Sequence, residues 1–540
     1  MSNLSAKSIA PSPTSRATAG AEWLLILAIF FLYAGWPVPD VNEVHYLSKA
    51  KHYWNPDWCQ GDFFCESADA HLVFYWSFGW LTKFFSLTVT AWIGRVVSWG
   101  VLAWAWRRLS LACVPAPWLS VLSAALWICL LDQCHMAGEW VVGGLEAKGV
   151  AYALMFLGLE ALMRKRWNWV WILLGAATAF HVLVGGWMLI VCAGVWLTRR
   201  DDRPSLRSMI PSLTVGFALS LPGVLPAFGL TATVDGESFR EANYIYVFRR
   251  LKHHLILTEF KWQFIARHTA LIISWFLLAR FIPKDSPLRR LRPVIHGAVA
   301  LAAIGLIINL ATLNDKYLAA ALLRYYWFRL SDAMVPLGVA MVVCSWIVWV
   351  RERRSRWANL PLVAAIIAVG AGLAPGLVEQ VNVRHPRSER PQKSVIDTHG
   401  WRDVCDWIAE NTADNAQFLV PRQASTFRWR TGRALVVCHK DIPQDSRGIV
   451  EWWTRIDAIY RYPSDPEEPE KRSWHGSLAD ESLGEQRLIE LCEHYGADYI
   501  VTHAERPLGL EIAYSNPWYV VYRPTPTPWA SRMRAPSSEK

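Results

Sequence analysis

Charged residues are scarce in this chain of 540 residues, of which Asp, Glu, Lys and Arg make up only 19%. A soluble protein would carry about 25%, and the 53% of hydrophobic residues exclude a disordered chain, a fibre or a small disulfide scaffold. Thirty-two tryptophans are present, and tryptophan concentrates at membrane–water interfaces. The composition therefore indicates a multi-pass membrane protein with a soluble part attached.

Several common motifs are also missing. The sequence has no P-loop and no glycine-rich dinucleotide fingerprint, so nothing in it points to a bound nucleotide. Its ten cysteines show no zinc-site spacing, and no internal repeat of fixed period is present. Cys59 and Cys65 lie in a predicted outer loop, where free thiols and a disulfide bond are both open alternatives.

Eleven apolar segments are predicted to cross the membrane, because a spanning helix needs about 20 mostly apolar residues. They are residues 21–38, 89–106, 118–134, 149–163, 167–183, 183–198, 209–228, 269–282, 294–313, 332–350 and 359–378. The segment His71–Phe85 is apolar but short and contains Lys83, so we expect it to lie along the interface.

The placement of basic residues predicts the orientation of these helices. With a cytoplasmic N-terminus, the inner loops hold 18 Lys and Arg in 33 residues, whereas the outer loops hold 13 in 122. Short loops rich in Lys and Arg stay inside, so the net charge of +10 reflects topology and not a nucleic-acid partner. We expect an integral protein of a bacterial inner (plasma) membrane with its C-terminal domain outside the cytoplasm.

The predicted fold is a mainly α polytopic membrane bundle followed by an α/β domain. Its regions are a disordered cytoplasmic N-terminus at 1–20, a membrane module at 21–380 with a large first outer loop at 39–88, an extracytoplasmic α/β domain at 384–523 and a Pro-rich disordered tail at 524–540. The α/β domain is predicted from helices at Trp401–Asn411, Gly448–Arg461 and Glu481–Tyr495 that alternate with strands at Ala416–Val420, Ala434–Cys438, Asp498–Val501 and Trp518–Tyr522.

The richest polar segment follows the first span. Residues 39–71 hold six carboxylates and three histidines, and Asp40 and Glu43 share a face if the segment is helical. A carboxylate partly screened from water at the end of a span can act as a base, and the pair could also bind a divalent cation. The alternative is a solvated loop whose acids cap short helices. Further candidate substrate contacts here are His45, Tyr46 and His71.

Polar residues also gather at three other outer turns, where they are costly unless they face a cavity or each other. These candidates are His135, Glu139, Glu146 and Lys148 in one turn, His181 in the second, and Arg324 and Arg329 in the third. Arginines flanked by aromatic residues can fork onto a phosphate. The alternatives are an internal Glu146–Lys148 or Glu139–His135 pairing in the first turn, a hydrogen-bonded histidine in the second and ordinary interface anchoring by the arginines of the third.

A further outer segment, Arg240–Arg267, is basic and contains aromatic residues. It is predicted to be an amphipathic stretch at the membrane interface that holds the head groups of anionic membrane lipids.

The order of a span, an acidic outer loop, a run of spans and an extracytoplasmic α/β domain resembles the GT-C superfamily of membrane glycosyltransferases. In that superfamily the first outer loop opens with an acidic pair followed by a tyrosine, and Asn42-Glu43-Val44-His45-Tyr46-Leu47 is similar. The first acid of the pair falls on Asn42, with Asp40 two residues earlier, so either Asp40 or Glu43 is the expected base. The region from Trp401 to Arg433 is similar to the soluble domains of an uncharacterised bacterial branch.

The resemblance implies that the chain moves a sugar from a polyprenyl-phosphate donor to a glycan, lipid or protein acceptor, with inversion at the anomeric carbon. Asp40 or Glu43 would deprotonate the acceptor, and Arg324, Arg329 or Lys148 would stabilise the departing phosphate. A divalent cation, Mg or Mn, is optional. Two other functions stay open, namely a transporter or flippase for a lipid-linked or anionic substrate, and a non-catalytic envelope assembly protein.

Overall fold

The computed structural model describes residues 15–199, 203–232, 234–353, 359–383, 396–463, 472–479 and 483–526. Most of the predicted N-terminal region, at 1–14, and most of the predicted tail, at 527–540, lie outside the described residues. Helix α1 begins at Arg16, where the Ser15 hydroxyl accepts a hydrogen bond from the Thr18 amide, so helical structure starts inside the region expected to be disordered.

The membrane module contains sixteen α-helices within these ranges. They are α1 (Arg16–Ala34), α2 (Glu43–Trp54), α3 (Leu72–Ser77), α4 (Leu87–Cys113), α5 (Leu119–Cys134), α6 (Ala147–Met163), α7 (Trp167–Phe180), α8 (Val182–Thr198), α9 (Leu206–Ala232), α10 (Gly236–Tyr244), α11 (Lys252–Leu255), α12 (Trp262–Leu278), α13 (Arg292–Ala311), α14 (Lys316–Leu323), α15 (Arg329–Glu352) and α16 (Leu360–Val383). A π-helical turn, Ile245–Arg250, joins α10 to α11.

Each predicted span coincides with one of these helices, namely α1, α4 to α9, α12, α13, α15 and α16. In the described part of the chain, seven helices are long and apolar enough to cross a membrane, and α5, α7 and α8 are apolar but shorter. The chain is therefore an integral membrane protein, and the number of eleven spans stays a prediction.

Aromatic packing holds the centre of the module together. The Trp106 and Trp127 rings stack with centroids 4.4 Å apart, and Phe156 meets the edge of Trp127 at 5.4 Å. At the end of the bundle predicted to face the cytoplasm, the buried Glu22 carboxylate accepts hydrogen bonds from Arg107 at 2.8 Å and from the Trp118 amide at 2.6 Å. These contacts join α1, α4 and α5 into one unit.

The C-terminal part is an α/β domain, as predicted. Its helices are α17 (Thr398–Asn411), α18 (Phe427–Thr431), α19 (Ser446–Tyr460) and α20 (Glu485–Tyr495), and its strands are β1 (Gln417–Leu419), β2 (Ala434–Leu435), β3 (Arg461–Pro463), β4 (Arg472–Trp474), β5 (Tyr499–His503), β6 (Leu510–Ser515) and β7 (Tyr519–Pro526). Five strands form one sheet in the order β2-β1-β5-β7-β6, and β3 pairs with β4.

The sheet is mixed, because β1 runs parallel to β2 and β5, whereas β7 runs antiparallel to β5 and β6. All four predicted strands are present, although the second ends at Leu435. Strand β6 was not predicted, because it lies at the sheet edge, where most of its side chains are exposed or half-buried and leave no alternating apolar pattern.

The first outer loop binds the α/β domain through one fully buried arginine. Arg428 donates to Asp62 at 2.6 Å and to Asp441 at 2.8 Å, and all three side chains are completely buried. The Leu435 amide also donates to Asp62 at 3.0 Å. Cys59 and Cys65 are buried nearby as free thiols, so the disulfide alternative does not apply.

The start of the basic segment Arg240–Arg267 packs against other parts of the protein, whereas its contact with lipid head groups stays a prediction. Helix α10 packs against α19 of the α/β domain and against α14, and its Ala242 lies with Ile245 in the apolar core of that domain. We refer to residues 236–255 as the connector, because this stretch joins the membrane module to the α/β domain.

We expect Arg428→Met to destabilise the protein by about 3–5 kcal/mol, because Asp62 and Asp441 would stay buried without their shared cation. Thermal unfolding of the purified chain and trypsin sensitivity of the α/β domain measure the effect. The matched control is Arg487→Met, which removes a half-exposed ion pair with Glu490 and should change stability by less than about 0.5 kcal/mol. Equal unfolding temperatures for the two variants would contradict this role of Arg428.

Candidate functional site

A cavity of about 310 Å³ lies between the outer ends of the membrane helices, the first outer loop, the connector and the α/β domain. Its charged lining residues are Lys148, Arg250, Arg329, Lys440 and Glu146. Its lining histidines are His45, His71, His181, His253 and His254. With four cations against one carboxylate, this cavity, here called the cationic chamber, suits an anionic ligand.

A second cavity, of about 570 Å³, lies between α1, α16 and the outer end of α5, and we call it the lateral cavity. Asp40, His135 and Glu139 line it together with apolar residues of α1 and α16. Trp140 lines both cavities, so its indole stands between them.

Glu43 is not available for chemistry in this arrangement. Its carboxylate binds Arg95 through two bonds of 2.6 Å and accepts from the Leu145 amide at 2.8 Å and the Asp40 amide at 2.7 Å. The Glu43 and Arg95 side chains are fully buried, and Glu43 lines neither cavity. The pair holds the first outer loop against α4.

Two glycines allow the backbone to approach this ion pair. A Cβ at Gly144 would lie 2.7 Å from the Glu43 Cγ atom, and a Cβ at Gly94 would lie 2.1 Å from Leu145. Any larger residue at either position would push the 143–145 segment away from α2 and α4.

The second predicted cluster is an ion-pair network at the wall of the chamber. Lys148 lies 3.3 Å from Glu139 and 3.8 Å from Glu146, and Arg329 binds the other oxygen of Glu139. Lys148 also sits over the Trp140 ring at 3.3 Å. Burial raises the pKa of Glu146, and Lys148 opposes that rise. The predicted Glu146–Lys148 pairing is therefore present, whereas Glu139 pairs with Lys148 and Arg329 instead of His135.

Arg329 and Asp332, one turn apart on α15, fix the turn that carries this network. The buried Asp332 carboxylate accepts from the Met136 amide at 2.7 Å and the Ala137 amide at 2.9 Å. Sequence reasoning did not single out Asp332, although a carboxylate one turn after an arginine on an apolar helix is a readable signal.

The predicted aromatic and histidine residues of the first loop face the chamber. The Tyr46 and His71 rings lie 4.9 Å apart, and His71 lies 6.2 Å from His181. Burial lowers the pKa of His71 to about 3 and also lowers that of His45, which is 3.7 Å from Asp441. These rings are therefore neutral near pH 7 and can donate or accept single hydrogen bonds.

Arg324 and His135 lie outside the chamber, as do Asp40, Glu43 and Glu139. Arg324 binds the side-chain oxygen of Asn243 and stacks over Phe239, and it lines neither cavity. His135 lines the lateral cavity, where its ring packs on Phe264 at 4.5 Å. The side chains of Arg324 and Arg329 point in different directions, because the chain between α14 and α15 turns at Tyr326 with a φ of 55°.

Two cationic residues of the chamber, Arg250 and Lys440, were not among the predicted site residues. Arg250 was assigned to the membrane interface, and Lys440 was not singled out. The available signal for Lys440 is its position in His439-Lys440-Asp441, a polar run that directly follows the apolar segment of β2. Polar residues at the end of a buried strand are frequent site residues in α/β folds.

The optional divalent cation, Mg or Mn, stays a prediction. Among the residues that the structure describes, no group of three or more His, Cys, Asp or Glu is placed to hold a metal ion. Glu43 is bound by Arg95, and Glu139 and Glu146 are bound by Lys148, so cations already compensate these three carboxylates.

A family described as a domain of unknown function (DUF6798) matches residues 399–459, which include Arg428, Lys440 and Asp441. No curated protein matches the chain.

Solved structures resemble the chain at low identity. The archaeal oligosaccharyltransferase AglB from Archaeoglobus fulgidus, in complex with an inhibitory peptide and a dolichol-phosphate, matches with a TM-score of 0.43 and 12% identity over 90% of this chain and 69% of that chain. The arabinofuranosyltransferase AftD from Mycobacteria matches with a TM-score of 0.44 and 14% identity over 96% of this chain and 40% of that chain. By their names, the first of these proteins is an oligosaccharyltransferase and the second an arabinofuranosyltransferase.

We expect Glu43→Gln to lower stability by about 3–5 kcal/mol, because it leaves the buried Arg95 guanidinium without its counter-charge. The double variant Glu43→Gln with Arg95→Met should recover a large part of that loss, since it removes both charges. Thermal unfolding of the purified variants measures both effects. If Glu43→Gln unfolds like the unaltered chain, the Glu43–Arg95 pair is not structural.

The chamber histidines predict acid sensitivity. Burial lowers the pKa of both His71 and His254 to about 3 from 6.5. Between these values the unfolded chain binds protons that the folded chain does not, so stability should fall as pH drops from about 6.5 toward 4. His71→Asn should flatten this dependence, whereas the same change at the exposed His494 should not. Identical slopes for both variants in thermal unfolding across this pH range would refute the assignment.

Proposed function

We propose that this chain is a membrane glycosyltransferase that moves a sugar from a polyprenyl-phosphate donor to an acceptor hydroxyl outside the cytoplasm, with inversion and with Asp40 as the base. The observation that carries the proposal is the pair of cavities that meet at Trp140, one lined by Asp40 and the other by four cations. The proposed base and the proposed phosphate site thus lie on opposite sides of the Trp140 indole.

The cationic chamber fits the carrier end of such a donor. Lys148, Arg250, Arg329 and Lys440 offer positive charge to a departing phosphate. Apolar residues of α8 and α9, including Leu183 and Leu230, line the same chamber. An amphipathic carrier can therefore place its phosphate among the cations and its first isoprene units along these helices.

Asp40 is the better of the two predicted bases. It lies at the wall of the lateral cavity with 6% of its surface exposed, whereas Glu43 is fully buried against Arg95. The Glu43 carboxylate accepts a hydrogen bond from the Asp40 amide at 2.7 Å. Glu43 thereby holds the Asp40 backbone in place and acts as a positioning residue.

The reaction balances with these groups alone. Asp40 accepts the proton of the acceptor hydroxyl, and the acceptor oxygen forms a bond to the anomeric carbon. The bond from that carbon to the phosphate oxygen breaks on the opposite face, and its electron pair stays on the phosphate. Polyprenyl phosphate leaves, the configuration inverts, and the chamber cations stabilise the new charge.

We expect Asp40→Asn to abolish transfer, by at least about a hundredfold, because the amide cannot accept the proton. Cells that lack the native gene and express this variant should accumulate lipid-linked sugar, which mass spectrometry of extracted lipids detects. The matched control is Asp57→Asn, an exposed acid of the same loop, which should restore normal levels.

Two further measurements separate loss of chemistry from loss of fold. The Asp40→Asn protein should unfold at the temperature of the unaltered chain, unlike Glu43→Gln. Normal product levels with Asp40→Asn would exclude Asp40 as the base, and unchanged lipid-linked sugar in cells without the gene would exclude the transferase function.

A further inference from the structure

Two cationic residues of the chamber come from distant parts of the chain, and the side chain of one binds the backbone of the other. Arg250 ends the π-helical turn of the connector, and Lys440 follows β2 in the α/β domain. The Arg250 guanidinium donates to the Lys440 carbonyl at 3.2 Å. Both side chains line the chamber, so the connector and the α/β domain each place one positive charge there.

Neither side chain forms an ion pair among the residues that the structure describes. No carboxylate lies within ion-pair distance of Arg250 or Lys440, and the Arg250 Nε atom is buried without an acceptor. The other chamber cations differ, because Lys148 and Arg329 both bind Glu139. The nearest acid in sequence, Asp441, is bound by Arg428 at 2.8 Å.

Arg250 and Lys440 are half-buried, and their like charges oppose each other in the empty protein. Burial lowers the pKa of Arg250. Burial also lowers the pKa of Lys440, and the charge of Arg250 lowers it further. Asp441 and Glu146 act on these charges only from a distance, since neither forms an ion pair with them. An anion that enters between the two side chains would offset their repulsion.

We propose that Arg250 and Lys440 form a phosphate-monoester site that exists only when the α/β domain is docked on the membrane module. The planar guanidinium offers parallel donors to two phosphate oxygens, and the ammonium offers a compact charge to a third. His253 and Gln444 line the same part of the chamber and supply further polar contacts. The site deepens the proposed function, on which its assignment to a lipid carrier rests, by naming where the carrier phosphate binds.

The buried network of the α/β domain positions this site. Lys440 directly precedes Asp441, which is fixed by Arg428, and Arg428 is fixed in turn by Asp62 of the first outer loop. His45, which faces the chamber, lies 3.7 Å from Asp441 on the same network. Docking of the domain thus sets the distance between Lys440 and Arg250.

Binding to the full chain in lipid nanodiscs tests the site. The probes are a long-chain polyprenyl phosphate, the uncharged polyprenol and inorganic phosphate. The phosphate-bearing probes should raise the unfolding temperature, and the polyprenol should not. Preference for polyprenyl phosphate assigns the site to the lipid, and preference for inorganic phosphate assigns it to the free ion. Binding of the polyprenol as tight as that of polyprenyl phosphate would overturn the site.

Variants identify the residues that bind. Lys440→Met and Arg250→Met should each weaken phosphate binding at least tenfold, whereas Lys440→Arg keeps the charge and should stay within about threefold. The matched control is Arg249→Met, whose exposed side chain stacks on Tyr244 and Trp453, and which should bind like the unaltered chain. Unchanged affinity in Lys440→Met and Arg250→Met would overturn the proposal.

The ligand-free unfolding temperature separates binding from a structural role. Lys440→Met should unfold at the same or a higher temperature than the unaltered chain, because it removes repulsion. A lower temperature together with failed rescue by Lys440→Arg would overturn the site. Asp40→Asn should bind phosphate normally, because Asp40 lines the other cavity. Intact phosphate binding by a chain whose deletion leaves lipid-linked sugar unchanged would refute the transferase function and leave this site standing.

Discussion

A charge taken out of water needs an opposite charge or a full set of hydrogen bonds, and this requirement organises the outer half of the molecule. Arg428 meets it by binding Asp62 of the first outer loop and Asp441 of the α/β domain at once. Because neither carboxylate can leave without stranding the arginine, the loop and the domain are held as one body. Lys440, which directly precedes Asp441, takes its position at the cationic chamber from this contact.

The same requirement separates supporting residues from candidate functional ones. Glu43 and Arg95 compensate each other completely and line no cavity, so they support the loop. Glu139 shares its two oxygens between Lys148 and Arg329 and fixes the turn between α5 and α6. Arg250 and Lys440 lack such partners among the described residues and face the chamber, which is the arrangement expected where a ligand supplies the missing charge.

Under the proposed function, the two cavities would receive two different substrates. The lateral cavity opens beside apolar residues of α1 and α16 and reaches Asp40, whereas the chamber collects the cations. Trp140 divides them, and its ring is held by Lys148 on one face and by a hydrogen bond from its indole to Glu146 at 3.2 Å. A carrier phosphate and an acceptor hydroxyl can thus approach one point without sharing a binding surface.

Hydrophobic run length and periodicity are local properties of the chain. The helical segments, the α/β domain and most members of the polar clusters could therefore be predicted from the sequence. Tyr46, His71, Glu146, Lys148 and Arg329 were found this way, and they do share one chamber. Only the tertiary structure decided that Glu43 is neutralised by Arg95, that Arg324 turns to Asn243, and that Lys440 meets Arg250. Each of these outcomes joins residues at least 52 positions apart in the chain, and no local pattern specifies which distant charge a buried side chain will meet.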